Sequence, residues 1–103
     1  MKKMLIKVKK MQDFIDLFAG LSKQRLELLW QIKSLRPGSV YELANALQKS
    51  QPYIQKEVNF LAEKGLISLS KSKTDGRNRV KPEVNYQVLS FEMDFIGAGK
   101  DNE

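Results

Sequence analysis

Read for its apolar positions, the chain falls into a sequence of short elements. Met4, Ile6 and Val8 alternate with Leu5, Lys7 and Lys9, a two-residue period that predicts a short strand with one apolar face. From Gln12 to Leu21 the period changes to that of a helix, with Phe14, Ile15, Leu17, Phe18 and Leu21 recurring and Asp13 and Asp16 near the positive end of the dipole. Ser22 caps a longer helix whose inner face is expected to carry Leu26, Leu29, Trp30, Ile32 and Leu35 before Arg36-Pro37-Gly38 stops it. On that apolar stripe Trp30 is expected to pack in the core.

The stretch from Ser39 to Leu89 has the clearest punctuation. Ser39-Val40-Tyr41-Glu42 is a Ser-x-x-Glu capping box, in which hydroxyl and carboxylate each satisfy an orphaned backbone donor. Leu43, Ala44 and Leu47 follow on one face. A second helix starts near Ser50-Gln51-Pro52, because proline in the first turn has no amide whose loss matters. About three or four residues are left for the turn between them. Ile54, Val58 and Leu61 form the buried stripe of this second helix, and Gly65 supplies the left-handed residue that ends it. Gln51, Tyr53, Gln55, Lys56 and Asn59 face outward, while Glu57 and Glu63 are expected to face away from that surface.

Ile67 and Leu69 alternate with serines in a half-buried strand, and Thr74-Asp75-Gly76-Arg77 reads as a hairpin whose Asp-Gly suits a tight turn needing positive φ, with a loop of five or six residues as the alternative. On the return, Val84, Tyr86 and Val88 lie in one phase and Leu89, Phe91, Met93 and Phe95 in the other, so a bulge or bend near Val88-Leu89 is expected to turn the strand. The order helix, turn, helix, hairpin predicts an α+β winged helix-turn-helix with about four helices, a C-terminal β-hairpin wing and an N-terminal strand. Residues 1–96 are expected to form one such domain, and 97–103 a frayed tail.

Composition narrows the chemistry. The chain has 103 residues, no cysteine and no histidine, which removes thiol nucleophiles, disulfides, the usual zinc sites and histidine acid-base work. A core of this size buries roughly two thirds of the unfolded surface. No apolar run reaches the length of a signal peptide or the ~18 residues of a membrane span, and a cytoplasmic location is expected. The acids are scattered, and Gly76 lacks the spacing of a phosphate loop, so neither an enzyme nor a cofactor or metal site is expected. Phe91, Met93 and Phe95 are read as core or subunit interface, not as a ligand pocket.

The formal charge of +6 is unevenly distributed. Residues 1–11 hold five lysines and no acid; residues 70–82 hold five basic groups against Asp75; residues 83–103 hold one basic group and five acids. Positive charge therefore concentrates in an N-terminal arm and in the wing, where Lys71, Lys73, Arg77, Arg79 and Lys81 alternate and are expected to share one face. Such a face suits a phosphate backbone or a minor groove. A major groove about 12 Å wide accepts a helix, and amides such as Gln51, Gln55 and Asn59 can pair with adenine edges. Lys56 can reach guanine acceptors or a phosphate, and Tyr53 can offer its hydroxyl or its ring edge.

The runs Arg25-Leu26-Glu27-Leu28-Leu29, Ser39-Val40-Tyr41-Glu42-Leu43-Ala44, and Val58 with Leu61-Ala62-Glu63-Lys64-Gly65-Leu66-Ile67 resemble the small winged-helix transcriptional regulators of the MarR and ArsR-like group. Short prokaryotic and archaeal members are closer, their wing returning through a Pro-x-Val-x-Tyr pattern, here Pro82-Glu83-Val84-Asn85-Tyr86. The resemblance spans about Leu5 to Phe95. It implies a dimer that reads duplex DNA with the second helix in the major groove and the wing beside it. Lys56 stands where arginine is usual, Pro52 is a departure, and the metal-binding cysteines and histidines of ArsR-like sensors are missing, so metal sensing is not implied.

The reading is a sequence-specific, homodimeric DNA-binding regulator, a repressor acting by occlusion. Dimerisation is expected through Ile6, Val8, Leu89, Phe91, Met93 and Phe95, whose strands offer edges beside large apolar side chains. The alternative is a winged-helix protein-interaction module without specific DNA binding. RNA binding ranks third, since the chain shows no aromatic platform of the single-strand type.

Overall fold

The computed structural model describes residues 1–96, with the side chain of Thr74 excepted; the expected tail of residues 97–103 lies outside the described residues. Its elements are β1 (Lys3–Val8), α1 (Met11–Gly20), α2 (Lys23–Leu35), α3 (Val40–Leu47), α4 (Gln51–Glu63), β2 (Ser68–Thr74), β3 (Arg77–Glu83) and β4 (Val88–Met93). This is the α+β winged helix expected from the pattern. The described residues form two compact units, one from residues 1–22 and 86–96, the other from Lys23–Asn85.

In the first unit β1 and β4, from opposite ends of the chain, pair in parallel, with Met4, Ile6 and Val8 beside Leu89, Phe91 and Met93. Both strands alternate, so this register gathers their apolar positions on one face. Phe18 of α1 lies 5.4 Å from Phe91 and Phe14 lies 4.8 Å from Phe18, ring to ring. Leu17 and Val8 are buried. β1 and β4 are thus partners of each other, and Val8, expected at a dimer surface, is taken into the chain's own core. Ile6, Leu89 and Met93 are half-buried, while Phe91 and Phe95 stay exposed.

The bend expected near Val88 is a break instead. β3 stops at Glu83, residues 84–87 are not strand, and β4 belongs to a different two-stranded sheet from β2 and β3. The change of apolar phase therefore marks two strands in two sheets and not one bent strand.

In the second unit, α2 buries Leu28, Leu29 and Ile32, a face rotated from the expected one. Trp30 is 76% exposed and Leu26 and Leu35 are about half exposed, so the expected core role of Trp30 is not observed. At 100° per residue Trp30 lies nearly opposite Leu28 and Ile32. Apolar residues occur around most of this helix, so hydrophobicity alone does not set its phase. Arg25 does: its Nη2 lies 3.0 Å from Glu57 Oε2 on α4, its Nε also donates to that oxygen at 3.2 Å, and its guanidinium stacks 3.8 Å over the Phe60 ring.

At α3 and α4 the helix starts follow the sequence with one shift. Ser39 Oγ accepts from the Glu42 amide at 3.1 Å, but the Glu42 carboxylate accepts from Gly38 N at 2.6 Å and not from the Ser39 amide a capping box would use. Gly38 precedes the cap, so the carboxylate ties down the entering chain as well. Ser50 Oγ caps α4 through Tyr53 N at 3.3 Å, with Pro52 in the first turn. At the other end Leu66 N donates to Leu61 O and Gly65 N to Ala62 O, a Schellman closure with Gly65 at φ +78°. Among the described residues no helix is long and apolar enough to cross a membrane.

Arg25 and Glu57 side chains are only 20% and 12% exposed, so removing one partner strands the other with little water. Glu57→Ala is expected to lower unfolding free energy by about 1–3 kcal/mol in urea denaturation; a loss inside experimental error would show that the pair is screened and does not set the phase of α2. Burial also raises the ionisation of Tyr86 above its usual 10.0. The phenol is neutral in both states below that value, and above it the unfolded chain loses the proton first. Stability from this residue is therefore intact at neutral pH and declines as pH rises past 10.0. Tyr86→Phe should unfold with a shallower alkaline loss than wild type; parallel alkaline curves would refute the assignment.

Candidate nucleic-acid interface

α3 and α4 are joined by the three residues Gln48, Lys49 and Ser50. Gln48 takes the left-handed conformation at φ 56°, and Lys49 N closes onto Ala44 O at 3.0 Å. The turn is therefore closed by main-chain bonds without a glycine. On α4, Ile54, Glu57, Val58 and Leu61 point inward. At 100° per residue the outward strip is centred on Pro52, Gln55, Lys56 and Asn59. Gln51 and Tyr53 lie on its two flanks.

The five outward residues are distributed over three hollows. Gln51 and Gln55 line a cleft of about 470 Å³ together with Ser39, Tyr41, Arg77 and Arg79. Lys56 and Asn59 open onto a shallower surface with Arg25, Phe60 and Glu63. Tyr53 lies beside Gln24, Glu27 and Lys49. Gln55 Nε2 donates to Asn59 Oδ1 at 2.9 Å, which fixes both amides and leaves Gln55 Oε1 as an outward acceptor and the Asn59 amide as an outward donor. Glu57 does turn away, into its ion pair. Glu63 does not: it is exposed and borders the same surface as Lys56 and Asn59. It sits at the C-terminal end of the strip, where a polyanion docked on the N-terminal half is furthest away.

The wing departs from the expected single basic face. Thr74 pairs with Arg77 across Asp75 (φ 52°) and Gly76 (φ 76°), a two-residue turn with both central residues left-handed. Opposed residues share a face, so Lys71 and Lys73, opposite Val80 and Asn78, lie with Leu69 and Pro82. Arg77, Arg79 and Lys81 lie on the other face with Ser70 and Ser72. Alternation continued through the turn would put all five together, but a two-residue loop pairs odd positions with even ones. Lys81 is further offset by Glu83 at 3.9 Å. Arg77 and Arg79 carry no ion pair among the described residues, and they are the two wing cations that line the cleft with Gln51 and Gln55. The expected wing set thus divides: two guanidiniums beside the helix amides, two lysines on the reverse face, and one lysine beside an acid.

Arg25 was legible only as part of a family pattern; its partner Glu57 sits 32 residues away and no local spacing announces the pair. Among the described residues no group of three or more His, Cys, Asp or Glu is placed to hold a metal ion.

The architecture and the cleft now bear comparison with known proteins. A family model designated HVO_A0114 matches residues 20–91. The chain belongs to the HVO_A0114 family. That match takes in all of the second unit, from α2 through the wing, and most of β4. Among solved structures the chain is similar to a MarR protein from Peptoclostridium difficile DA00132, with a TM-score of 0.51 and 25% sequence identity. The similarity covers 69% of this chain and 47% of that one, so the chain spans about half the length of the MarR protein it resembles. A comparison with curated proteins finds no match.

Proposed function

We propose that this HVO_A0114 family member is a sequence-specific, duplex-DNA-binding transcriptional regulator, acting as a homodimer and repressing by occlusion. One observation carries the reading: Gln51 and Gln55 of α4 and Arg77 and Arg79 of the wing, which have no ion pair among the described residues, line a single cleft with no acidic residue in its lining. Amides are suited to base edges and guanidiniums to phosphate oxygens, and duplex DNA offers both at this spacing when a helix enters the major groove and a hairpin follows the backbone. The likeness to a MarR protein supports the same assignment.

In this reading the outward Gln55–Asn59 pair reads base edges, with Lys56 beside it reaching guanine or phosphate. Tyr53, on the flank nearest α2, contacts backbone. Lys71, Lys73 and Lys81 add a diffuse field more than direct contacts. Two copies would present two α4 helices to half-sites about 34 Å apart, successive major grooves on one side of the duplex. No step of this function needs a catalytic group or a cofactor.

Gln55→Ala and Asn59→Ala should each weaken a preferred duplex site by about 1–3 kcal/mol and spare nonspecific binding. Because the two amides bond to each other, their double variant should cost less than the sum of the singles. Arg77→Ala and Arg79→Ala should weaken all duplexes alike, and more than Lys71→Ala or Lys73→Ala. Equal effects from all four wing positions in fluorescence anisotropy titrations would contradict the assigned cleft. For wild type, neutralising roughly six phosphates per dimer gives a slope of log affinity against log salt near −5. A slope near zero, or the same affinity for every duplex sequence and for an unrelated polyanion, would rule out the proposal.

A further inference from the structure

The first unit contains a feature that the reading of helix and wing does not use. Among the described residues its sheet has two strands, and they run parallel. Two-stranded sheets are marginal alone, and parallel pairs occur almost only inside larger, covered sheets. Each strand keeps one unpaired edge among the described residues, and the register says which backbone groups lie there. Asp94 N donates to Val8 O at 2.9 Å and Val88 N to Lys2 O at 3.3 Å, so the even-numbered residues of β4 turn their main-chain groups toward β1. The N–H and C=O of Leu89, Phe91 and Met93 therefore point to the free edge.

We propose that this edge of β4 is the dimer interface: β4 of a second copy adds antiparallel to it, about a two-fold axis at Phe91. The proposal rests on the reading of the chain as a homodimer and specifies how the copies meet. A two-fold axis normal to the sheet requires antiparallel pairing and opposes each residue to its symmetry mate's position. Centred on Phe91, Leu89 opposes the partner's Met93, Phe91 opposes the partner's Phe91, and Met93 opposes the partner's Leu89. All three pairs have their main-chain groups aimed at each other, giving about six new hydrogen bonds. Centring on Ser90 sets Met93 opposite Gln87, beyond the strand, and centring on Glu92 sets Leu89 opposite Phe95, beyond it at the other end; either shift gives about four.

Charge selects β4 over β1. On the free edge of β1 the groups that point outward belong to Lys3, Leu5 and Lys7, so a two-fold pairing about Leu5 would oppose Lys3 to the partner's Lys7 twice. Like charges directly opposed are destabilising, and lysine on an edge is a common block to strand addition. On β4 the same operation opposes Ser90 to the partner's Glu92 and Leu89 to the partner's Met93, with no like charges facing each other. The exposed Phe91 ring, already against Phe18, would be covered by its own symmetry mate.

The chain has no cysteine, so each introduced thiol is unique. About Phe91 the separation between identical residues grows by about 7 Å for each position moved along the strand. Ser90→Cys and Glu92→Cys, both exposed, should therefore cross-link equally with a short bismaleimide, whereas Val88→Cys, about 20 Å from its mate, should not. Leu5→Cys on β1 should stay uncross-linked. In sedimentation equilibrium Ser90→Glu, facing the partner's Glu92, should raise the dimer dissociation constant several-fold, and Ser90→Lys should lower it. Cross-linking at Leu5→Cys, unequal cross-linking at Ser90→Cys and Glu92→Cys, or a monomer at tens of micromolar would each overturn the interface. Duplex titrations on the same variants keep the two ideas apart. Specific binding by an uncross-linkable protein overturns the edge alone, and intact cross-links without duplex preference overturn the regulatory reading alone.

Discussion

What α4 presents to a partner depends on how its inner row is seated. Ile54, Val58 and Leu61 are at most 1% exposed, as are Leu43 of α3 and Leu66 just past the Schellman turn. Burial of such side chains is worth about 1.5–3 kcal/mol each in gross transfer terms, several times what any surface contact of α4 contributes. The row therefore fixes the rotation of the helix about its axis. A slip of one residue would turn the surface by 100° and replace Gln55 and Asn59 by Lys56 and Phe60. Glu57 makes such a slip costlier still, because it shares the inward side and reaches its charge partner only at this rotation. The Arg25–Glu57 pair is thus better understood as a phase marker than as a source of stability, since exchanging a desolvated ion pair for apolar contact is often neutral.

The wing obeys a similar constraint imposed by a turn. Asp75 and Gly76 both take positive φ, which only a two-residue loop of this type demands, and that loop sets the register of every pair above it. Arg77 and Arg79 owe their shared face to this register. A three-residue loop would exchange the faces of β3 relative to β2 and send Val80 and Pro82 outward, exposing residues that now lie on the half-buried side. Turn chemistry at Asp75-Gly76 and burial at Pro82 therefore agree, and the position of the basic groups follows from that agreement.

Features legible in the sequence were those written locally. Ser39 as a cap, the helix start near Ser50-Gln51-Pro52, Gly65 as a stop, the short turn before α4 and the Asp-Gly hairpin each involve neighbours within a few residues, and each is present in the fold. What escaped depended on relations across space. Trp30 lies on a helix with apolar groups on more than one side, and only Arg25, reaching Glu57 on another helix, shows which side is inner. The opposite faces of Lys73 and Arg77 follow from a pairing rule across the turn that alternation along one strand does not contain. The phase change near Val88 was visible, but a bend and a change of sheet produce the same pattern. The parallel partnership of β1 with β4 joins residues more than eighty apart and has no local signature.

Net charge alone would not have located the cleft. Of the acids between Lys23 and Asn85, Glu27 pairs with Lys23, Glu42 holds the chain entering α3, Glu57 is buried against Arg25, and Glu83 lies beside Lys81. Asp75 serves the hairpin turn, and Glu63 stands at the far end of the α4 strip. Each is committed to local structure or displaced from the cleft, so none offsets Arg77 and Arg79. The span from residue 12 to residue 69 is almost neutral in total, yet the charged groups lining the concave surface between α4 and the wing are the guanidiniums of Arg77 and Arg79, set among the amides of Gln51, Gln55 and Asn78 with Ser39 and Tyr41. On the proposed reading, electrostatic attraction and hydrogen-bond readout fall to different side chains. In that reading the separation leaves the attractive term to act on any polyanion and discrimination among base edges to the amides, of which Gln55 and Asn59 are locked to each other at 2.9 Å.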